Sequence, residues 1–485
     1  MRSAESSCLP RPTSPRTPIH RRARRSTSLA FLAAGALLAA CAHDAPTETR
    51  PATLAGAAKG WNLVVLSVDT IRADHLNSYG YTVRETTPHI DALLAEGIRF
   101  ENAMAPRSIT WPSLATMLTG LYPSGHGIIE NGYGFPDDLE TLPKALHAAG
   151  YSTTAILSNM CQANHQGWDS FQCSQGRDGK TVDWAAEWSQ GVDRTRPFFL
   201  WVHLFGAHSP YYNGGDLAER ELDPEYAGTL EAKKWRLDAV MEERQVLDEA
   251  DLYRMGAIYD AAVIGSDRLV GRIVDDLKKK GLLEHTLLVF LSDHGEELYQ
   301  HNGYLYHACS VYQSTLHVPM GFVAPGLWSG GEVEQAIEMV DVTPTILDLL
   351  GVPPLPRFHG VSVRPYLERP DRGGEGKPAY SEYGDTRIHT VLSGRWKLVW
   401  NPDVLTPVCF ASGPPDLYPI EEVELYDLAS DPLEETNLAA GEPARVADLE
   451  ALIRKRFAEL DTRVERQDLP EELKKELRSL GYVAN

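Results

Sequence analysis

The chain has few cysteines, no long hydrophobic run and little positive charge relative to its acidic content. Its 485 residues include six cysteines, and no two of them show the C-x-x-C spacing of a zinc site. A formal net charge of -21 argues against nucleic acid as the partner, because duplex binding needs a basic surface. The apolar stretch Leu29–Ala40 falls short of the roughly 20 residues that span a bilayer.

The N-terminal segment has the composition of an export signal. The first 41 residues carry seven Arg and one Glu, which leaves a formal charge of about -27 on the remainder. A basic run followed by a short apolar stretch is typical of a secretory signal. The sequence LAAC at 38–41 resembles the bacterial lipobox, in which the cysteine becomes the lipidated first residue. We therefore expect a lipoprotein-type signal peptide at 1–41, a linker at 42–59 and membrane attachment through Cys41, facing the periplasm or the exterior. An ordinary signal peptide is the alternative.

The cysteines of the exported body are Cys161, Cys173, Cys309 and Cys409. In an oxidising compartment, Cys161 and Cys173 could close a short loop. The spacing alone does not fix the pairing, so other pairings stay open.

Strand-like and helix-like segments alternate along most of the chain. NLVVLSVDT (62–70), RPFFLWVHLF (196–205) and HTLLVFLSDHGEE (285–297) are near-continuous apolar runs, as expected of strands buried on both faces. Amphipathic helical segments lie between them, so the sequence predicts an α/β fold with a mostly parallel sheet and helices on both faces. We expect this catalytic domain to span 60–372, with a charged, helical insertion at 209–250. The pattern from 373 to 485 predicts a smaller α+β subdomain with a short antiparallel sheet.

Polar residues stand where the predicted strands end. Asp69 ends the first strand, Asp293 and His294 end a later one, and His208 lies just past another. The carboxyl ends of the strands in such a sheet meet at one edge, where ligand sites form. Two carboxylates, a histidine and a hydroxyl make a site for a hard or borderline divalent cation.

The hydroxyl would come from Thr110 in RSITWPSLATMLTG (107–120). Thr110 precedes Trp111 and Pro112 at the start of a helical apolar pattern, which Thr119 and Gly120 end. Threonine is a good N-cap and proline is tolerated in a first turn, so the segment predicts a helix capped by Thr110. The alternative use of this hydroxyl is chemical, because a nucleophile at a helix N-terminus lies at the positive end of the helix dipole.

Seven ordered segments carry a resemblance to a known family. They run from about residue 60 to residue 440 and read VDTIRADHLNSYGY (68–81), TPHIDALLAEGIRFENAMAP (87–106), TWPSLATMLTGLYPSGHG (110–127), PFFLWVHLFGAHSPY (197–211), LSDHGEELYQHNGYLYH (291–307), VDVTPTILDLLG (340–351) and ELYDLASDPLEETNLA (424–439). The chain resembles the sulfatase family of the alkaline phosphatase superfamily. The resemblance implies an alkaline-phosphatase-like fold and hydrolysis of sulfate, phosphate or phosphonate esters.

The resemblance also implies a metal site and a nucleophile. Asp69, Asp293 and His294 match the family's metal ligands, although Thr70 stands where the family often has a second Asp. The family's nucleophile is the Cys of Cys-x-Pro-x-Arg, which is oxidised to formylglycine. Thr110 replaces that Cys, so we expect Thr110 to be both nucleophile and metal ligand.

Three further positions follow from the resemblance. Leu114 replaces the family's Arg, His208 matches the histidine of its PHxP turn, and His307 stands where the family usually has a Lys. Either histidine could act as the general acid on the leaving group, since histidine titrates near neutral pH. The alternative for each is a structural, hydrogen-bonded histidine.

These observations predict a metal-dependent hydrolase of sulfate or phosphate esters that uses Thr110 as a metal-activated nucleophile. Calcium is the cation favoured by the resemblance, with manganese or zinc as alternatives. The expected substrate is a small-molecule, glycan or lipid ester. The alternatives are a phospho-headgroup transferase, a phosphodiesterase or phosphonate hydrolase on the same frame, and a non-catalytic surface binding protein.

Overall fold

A computed structural model describes residues 53–161, 165–374, 376–383, 388–406, 419–460 and 467–479. The predicted signal peptide, the lipidation site Cys41, Cys409 and most of the predicted linker lie outside these residues. Within these ranges, we find no helix with both the length and the apolar character needed to cross a membrane.

The strands and helices are numbered along the chain. The strands are β1 (Asn62–Val68), β2 (Ile98–Met104), β3 (Tyr133–Gly134), β4 (Ser152–Leu157), β5 (Ser170–Cys173), β6 (Phe198–Leu204), β7 (Thr286–Ser292), β8 (Glu297–Leu298), β9 (Leu305–Tyr306), β10 (His317–Val323), β11 (Gly331–Val333), β12 (Ile337–Glu338), β13 (Ala379–Tyr383), β14 (Ile388–Ser393), β15 (Trp396–Trp400), β16 (Val423–Asp427) and β17 (Gln467–Asp468). The α-helices are α1 (Pro88–Ala95), α2 (Thr110–Thr119), α3 (Pro123–His126), α4 (Leu142–Ala148), α5 (Asp178–Gly191), α6 (Lys234–Glu242), α7 (Glu249–Lys279), α8 (Gln313–Leu316), α9 (Val342–Leu350), α10 (Arg364–Glu368), α11 (Pro443–Glu459) and α12 (Glu471–Ser479).

A nine-stranded sheet forms the centre of the large domain. Its order is β11-β2-β10-β7-β1-β6-β4-β5, and β12 also pairs with β2. β1 is parallel to both β6 and β7, whereas β10 is antiparallel to its neighbours β2 and β7. The predicted mostly parallel sheet is therefore confirmed, with β10 as its reversed strand.

β1 shows why its sequence is apolar throughout. Leu63 and Val65 pack into the core on one face of the sheet, and Val64 and Leu66 pack into the core on the other. Successive side chains of a strand point to opposite faces, so a strand covered on both sides needs an apolar residue at every position. α2 and α9 supply buried residues to the first core, and α1, α5 and α7 to the second, which confirms helices on both faces.

The long helix α7 is fixed by sequence signals at both ends. Asp248 and Asp251 form a reciprocal capping box at its start, and Lys278 and Lys279 lie in its last turn. These residues satisfy backbone N–H groups and complement the helix dipole. In the insertion before it, residues 209–250 form short helical turns and α6, as expected.

A separate antiparallel sheet follows the large domain. Its order is β13-β14-β15-β16, and α11 covers it through Leu449 and Ile453, which pack on Val391 and Leu398. The predicted smaller α+β unit with a short antiparallel sheet is thus confirmed. Its boundaries at 373 and 485 stay predictions.

Candidate functional site

The carboxyl ends of neighbouring strands meet at one edge of the central sheet. The register pairs Val68, the last residue of β1, with Ser292, the last residue of β7. Asp69 follows the first strand, and Asp293 and His294 follow the second. All three side chains are fully buried. The structure therefore brings together the three strand-end residues that were predicted as metal ligands.

Thr110 does not cap its helix, so that part of the sequence prediction is wrong. The extended residue Ile109 is the N-cap, and its carbonyl accepts the first helical hydrogen bond from the Ser113 N–H. The chain enters the helix one residue earlier than expected, which makes Thr110 the first helical residue. Its hydroxyl instead lies 3.4 Å from Asp69 Oδ2 and 3.2 Å from His294 Nε2. The hydroxyl is thus placed among the predicted ligands.

His294 presents one ring nitrogen to this group. Its Nδ1 lies 2.9 Å from the Gly295 carbonyl oxygen, which can only accept, so Nδ1 carries the proton. Nε2 is then a lone-pair donor, 3.5 Å from Asp69 Oδ1 and 3.7 Å from Asp293 Oδ2. Burial, and next the nearby His307, hold the pKa of His294 well below its ordinary value. The ring is therefore neutral and suited to bind a cation.

His203 is a site residue that the sequence reasoning missed. It lies in β6, opposite Ser67 of β1, and it forms a group with Asp69 and Asp293 that could hold a metal ion. Its Nδ1 lies 2.8 Å from Ser67 Oγ, and its Nε2 has no hydrogen-bond partner among the described residues. Burial lowers the pKa of His203 to about 3. The available signal was a lone polar ring within the apolar strand FFLWVHL.

The chemistry of these donors fits a divalent cation. Asp69 and Asp293 are buried carboxylates, and the histidines beside them are neutral. Asp293 Oδ2 has no hydrogen-bond partner among the described residues, and burial raises the pKa of Asp293 to about 7. Buried anionic groups need a compensating charge. A cation held by carboxylate, hydroxyl and imidazole donors would supply it.

Two further histidines line the same region. The His307 ring centroid is 4.4 Å from that of His294 and 4.9 Å from that of His208. Burial lowers the pKa of His307 to about 3, and burial with the adjacent His307 lowers the pKa of His208 to about 4. His208 Nδ1 donates to the Ser209 carbonyl oxygen at 2.6 Å. Both candidate acids thus lie beside the ligand cluster, but their lowered pKa values contradict the expected titration near neutral pH.

The Glu296 carboxyl group contacts the His307 ring. Its Oε1 lies 3.1 Å from His307 Nδ1, and the carboxyl is fully buried. Burial raises the pKa of Glu296 to about 8. The Arg72 guanidinium donates to the Glu296 carbonyl oxygen at 3.0 Å, which fixes the backbone of this loop. Glu296 and His307 therefore form a pair that can hold and pass a proton.

Leu114 is a departure from the family pattern, and Asn159 is a further residue that contacts the predicted ligands. Leu114 is fully buried in the hydrophobic core, so it offers no polar contact to a substrate. Asn159, just after β4, donates from Nδ2 to Asp69 Oδ2 at 2.7 Å. Sequence reasoning missed Asn159, because a single asparagine after a strand is an ordinary turn residue.

The loop that carries His307 is held by the small antiparallel sheet. Lys397 of β15 binds Glu434 at 2.5 Å, and both side chains are fully buried. Glu434 also accepts from the Gln313 N–H at 2.5 Å, at the far end of the loop. Within the loop, Glu297 accepts from the Ser310 hydroxyl at 2.7 Å. The C-terminal sheet thus reaches the site through this segment.

Cys161 and Cys173 form a disulfide, with their Cα atoms 5.3 Å apart. This is one of the pairings that the sequence left open. It joins the segment after Asn159 to the end of β5.

Comparison with known proteins shows which family this chain is similar to. The sequence model of the sulfatase family matches residues 61–352. The chain is 25% identical to an N-acetylglucosamine-6-O-sulfatase of Bacteroides thetaiotaomicron, over 85% of this chain and 87% of that protein. It is 26% identical to arylsulfatase K of Gallus gallus, over 76% of this chain and 77% of that protein.

Solved structures show the same fold. A protein in complex with its substrate D-glucosamine-2-N,6-O-disulfate matches with a TM-score of 0.67 and 22% identity, covering 84% of this chain and 100% of that one. The phosphonate monoester hydrolase of Agrobacterium radiobacter matches with a TM-score of 0.65 and 20% identity, covering 82% and 95%. These matches confirm the expected fold.

Proposed function

The chain belongs to the sulfatase family, and from this premise we propose that it is a metal-dependent hydrolase of sulfate or phosphate esters with Thr110 as its nucleophile. Membership makes it a hydrolase of ester bonds. The position of the Thr110 hydroxyl carries the rest of the proposal. That hydroxyl caps no helix and lies within 3.4 Å of a buried carboxylate and a neutral imidazole.

Asp69, Asp293, His294 and Thr110 are the residues that would hold the cation, with His203 as a further donor. A bound cation would lower the pKa of the Thr110 hydroxyl and stabilise negative charge on the ester. Two carboxylates with imidazole nitrogens suit manganese or zinc better than calcium, which prefers an all-oxygen shell. Calcium, which the family resemblance favours, is the alternative cation, and the metal panel below distinguishes it from manganese and zinc.

The reaction proceeds in two displacements on this chain's own residues. Thr110 releases its proton to water, and its oxygen bonds to the sulfur or phosphorus while the bond to the ester oxygen breaks. The Glu296 carboxyl, whose raised pKa lets it hold a proton, passes that proton through His307 to the ester oxygen, which leaves as the alcohol, and the pair then regains a proton from water. Water then cleaves the Thr110 ester, restores the hydroxyl and releases sulfate or phosphate. Formylglycine chemistry is closed to this chain, because Thr110 is not a cysteine.

Relatives support a sugar sulfate as the substrate. One is named an N-acetylglucosamine-6-O-sulfatase, and one structural neighbour was solved with a disulfated glucosamine. A phosphate ester is the second candidate, favoured by the unmodified hydroxyl at position 110. A phospho-headgroup transferase would use the same covalent step but would need an acceptor alcohol for turnover.

A substrate and metal panel tests the proposal. The assay compares 4-nitrophenyl sulfate, 4-nitrophenyl phosphate, a phosphodiester and a phosphonate ester, after chelation and after return of Ca²⁺, Mn²⁺ or Zn²⁺. We expect turnover of at least one ester, loss on chelation, and recovery with one cation. Turnover that survives chelation, or no turnover of any ester with or without an added acceptor alcohol, would contradict it.

We further propose export and anchoring through Cys41, on the N-terminal sequence pattern alone. The Cys41→Ala protein should lose membrane association in cells, whereas the unchanged chain should sediment with membranes. Equal sedimentation of both proteins would refute lipidation at this residue.

A further inference from the structure

An open cleft with a volume of about 520 Å³ lies in the insertion that follows His208. The reaction proposed above does not use it. Pockets that bind small molecules combine aromatic walls with a few polar groups. This cleft has that composition, and its walls include Pro210, Tyr212, Lys233, Lys234, Trp235 and Asp238.

The cleft adjoins the site through both candidate acids. Pro210 lies two residues after His208. Tyr306, directly before His307, donates its hydroxyl to Asp238 Oδ1 at 2.7 Å. The cleft therefore adjoins the two chain segments that carry His208 and His307.

Helix α6, which carries Trp235, is held in place by buried side chains. α6 buries Leu237, Val240 and Met241 in the core, and Met241 Sδ accepts from the Leu305 N–H at 3.4 Å. The Lys234 ammonium lies 5.2 Å from the centre of the Tyr306 ring. The first turn of α6 is thus held in place against the segment that leads to His307.

The aromatic residues of the cleft are left open to solvent. Of the Trp, Tyr and Phe side chains that the structure describes, three are largely exposed, and two of them, Tyr212 and Trp235, line this cleft. Their exposed fractions are 72% and 65%. Rigid aromatic faces bind ligands at low entropic cost, and their electron-rich surface packs well against the C–H face of a sugar ring.

The cleft also carries positive charge on an acidic protein. Lys233 pairs with Glu231 at 2.5 Å and Lys234 with Asp238 at 3.1 Å; both lysine side chains are more than half exposed, whereas Asp238 is mostly buried. The exposed Lys233–Glu231 pair is of a weak kind. A ligand anion can therefore replace Glu231 beside Lys233, although the chain has a net charge of -21.

We propose that this cleft is a subsite for a sugar ring that bears a second anionic group, next to the ring that carries the ester. The proposal rests on the proposed function, which it deepens by assigning the substrate class to anionic glycans of two or more rings. The sugar stacks on Trp235 and Tyr212, and its sulfate or carboxylate pairs with Lys233 or Lys234.

The test compares full-length Trp235→Ala and Lys233→Gln/Lys234→Gln proteins on two kinds of probe. The first probe is the 4-nitrophenyl ester that the panel identifies. The second is a set of heparin and chondroitin sulfate tetrasaccharides, bound by a Thr110→Ala background and measured by titration calorimetry. We expect each change to weaken tetrasaccharide binding about tenfold, with a smaller effect on the aryl ester. The effect of the double lysine change should fall at high salt.

Trp184→Ala is the matched control. Trp184 is a partly exposed tryptophan of α5 with the Lys180 ammonium 4.3 Å from its ring centre, and it lies outside the cleft. It should leave binding and turnover unchanged. Failure of both tetrasaccharides to bind, or equal binding by Trp235→Ala, would overturn the subsite even if the aryl ester is turned over. Absence of aryl ester turnover would instead count against the proposed function.

Discussion

Replacing Thr110 by alanine should abolish turnover while leaving the protein folded. The change removes a hydroxyl whose two contacts are long, at 3.4 and 3.2 Å, and one buried methyl group. Ile109 remains the N-cap, so no capping interaction is lost. Burial of a methyl contributes about 0.8 kcal/mol, and a small cavity adds about as much again. We therefore expect a loss of about 1–2 kcal/mol from a total of about 5–15 kcal/mol.

The loss of activity should be far larger. Without a nucleophilic oxygen, kcat/KM should fall by at least about 10³-fold, equivalent to about 4 kcal/mol of transition-state stabilisation. Thr110→Ser keeps the oxygen and should retain part of the activity. The assay pairs hydrolysis of a 4-nitrophenyl ester with thermal unfolding followed by circular dichroism.

Thr116→Ala is the matched control in the same helix. Thr116 is fully buried and its hydroxyl lies 3.1 Å from His126 Nε2, so its loss should cost at least as much stability. It should nevertheless leave kcat/KM almost unchanged. The reasoning would be refuted by Thr110→Ala retaining a tenth or more of the activity, or by an equal loss in Thr116→Ala.

Three further predictions follow from the same contacts. Asp293→Asn should lower the divalent cation bound per chain at least tenfold, measured by elemental analysis, whereas the exposed control Asp216→Asn should leave it unchanged. An unchanged cation content in the Asp293→Asn protein would contradict the ligand assignment. His307→Gln should slow an alkyl ester at least tenfold more than a 4-nitrophenyl ester, because only a poor leaving group needs a proton; equal losses would exclude the acid role. Lys397→Met should lower the free energy of unfolding in urea by about 3–5 kcal/mol, since it leaves Glu434 buried without its ion pair. Adding Glu434→Gln to that protein should restore part of the lost stability. No recovery would contradict the pairing.

The strands and helices with one clear pattern were predictable from the sequence. β1, β6 and β7 lie within the apolar runs, and α2 ends at Thr119 with Gly120 in the left-handed region, as expected. β10 was not predicted, and its sequence HVPMGFV contains a proline, which is unfavourable inside a strand. The structure places Pro319 where the register with β2 shifts, at a bulge that tolerates the missing N–H.

Only the site residues that directly follow neighbouring parallel strands were predictable from the sequence. Asp69 and Asp293 follow strands that topology brings side by side. His203 and Asn159 were missed, because their roles depend on contacts between distant segments. Only the N-cap at Thr110 was wrong, since a one-residue shift in where the helix starts decides which groups its hydroxyl contacts, and the nucleophile and metal-ligand roles of Thr110 stay predictions.

The covalent ester on Thr110 is the central claim of this account. The most direct measurement is rapid quench of the protein with the aryl ester that it hydrolyses, followed by mass spectrometry of the peptide 108–120. We predict a mass increase of one sulfo or phospho group on Thr110, and its identity distinguishes sulfate from phosphate chemistry. An unmodified peptide throughout a time course of full turnover, or the same group found on another residue, would contradict the account.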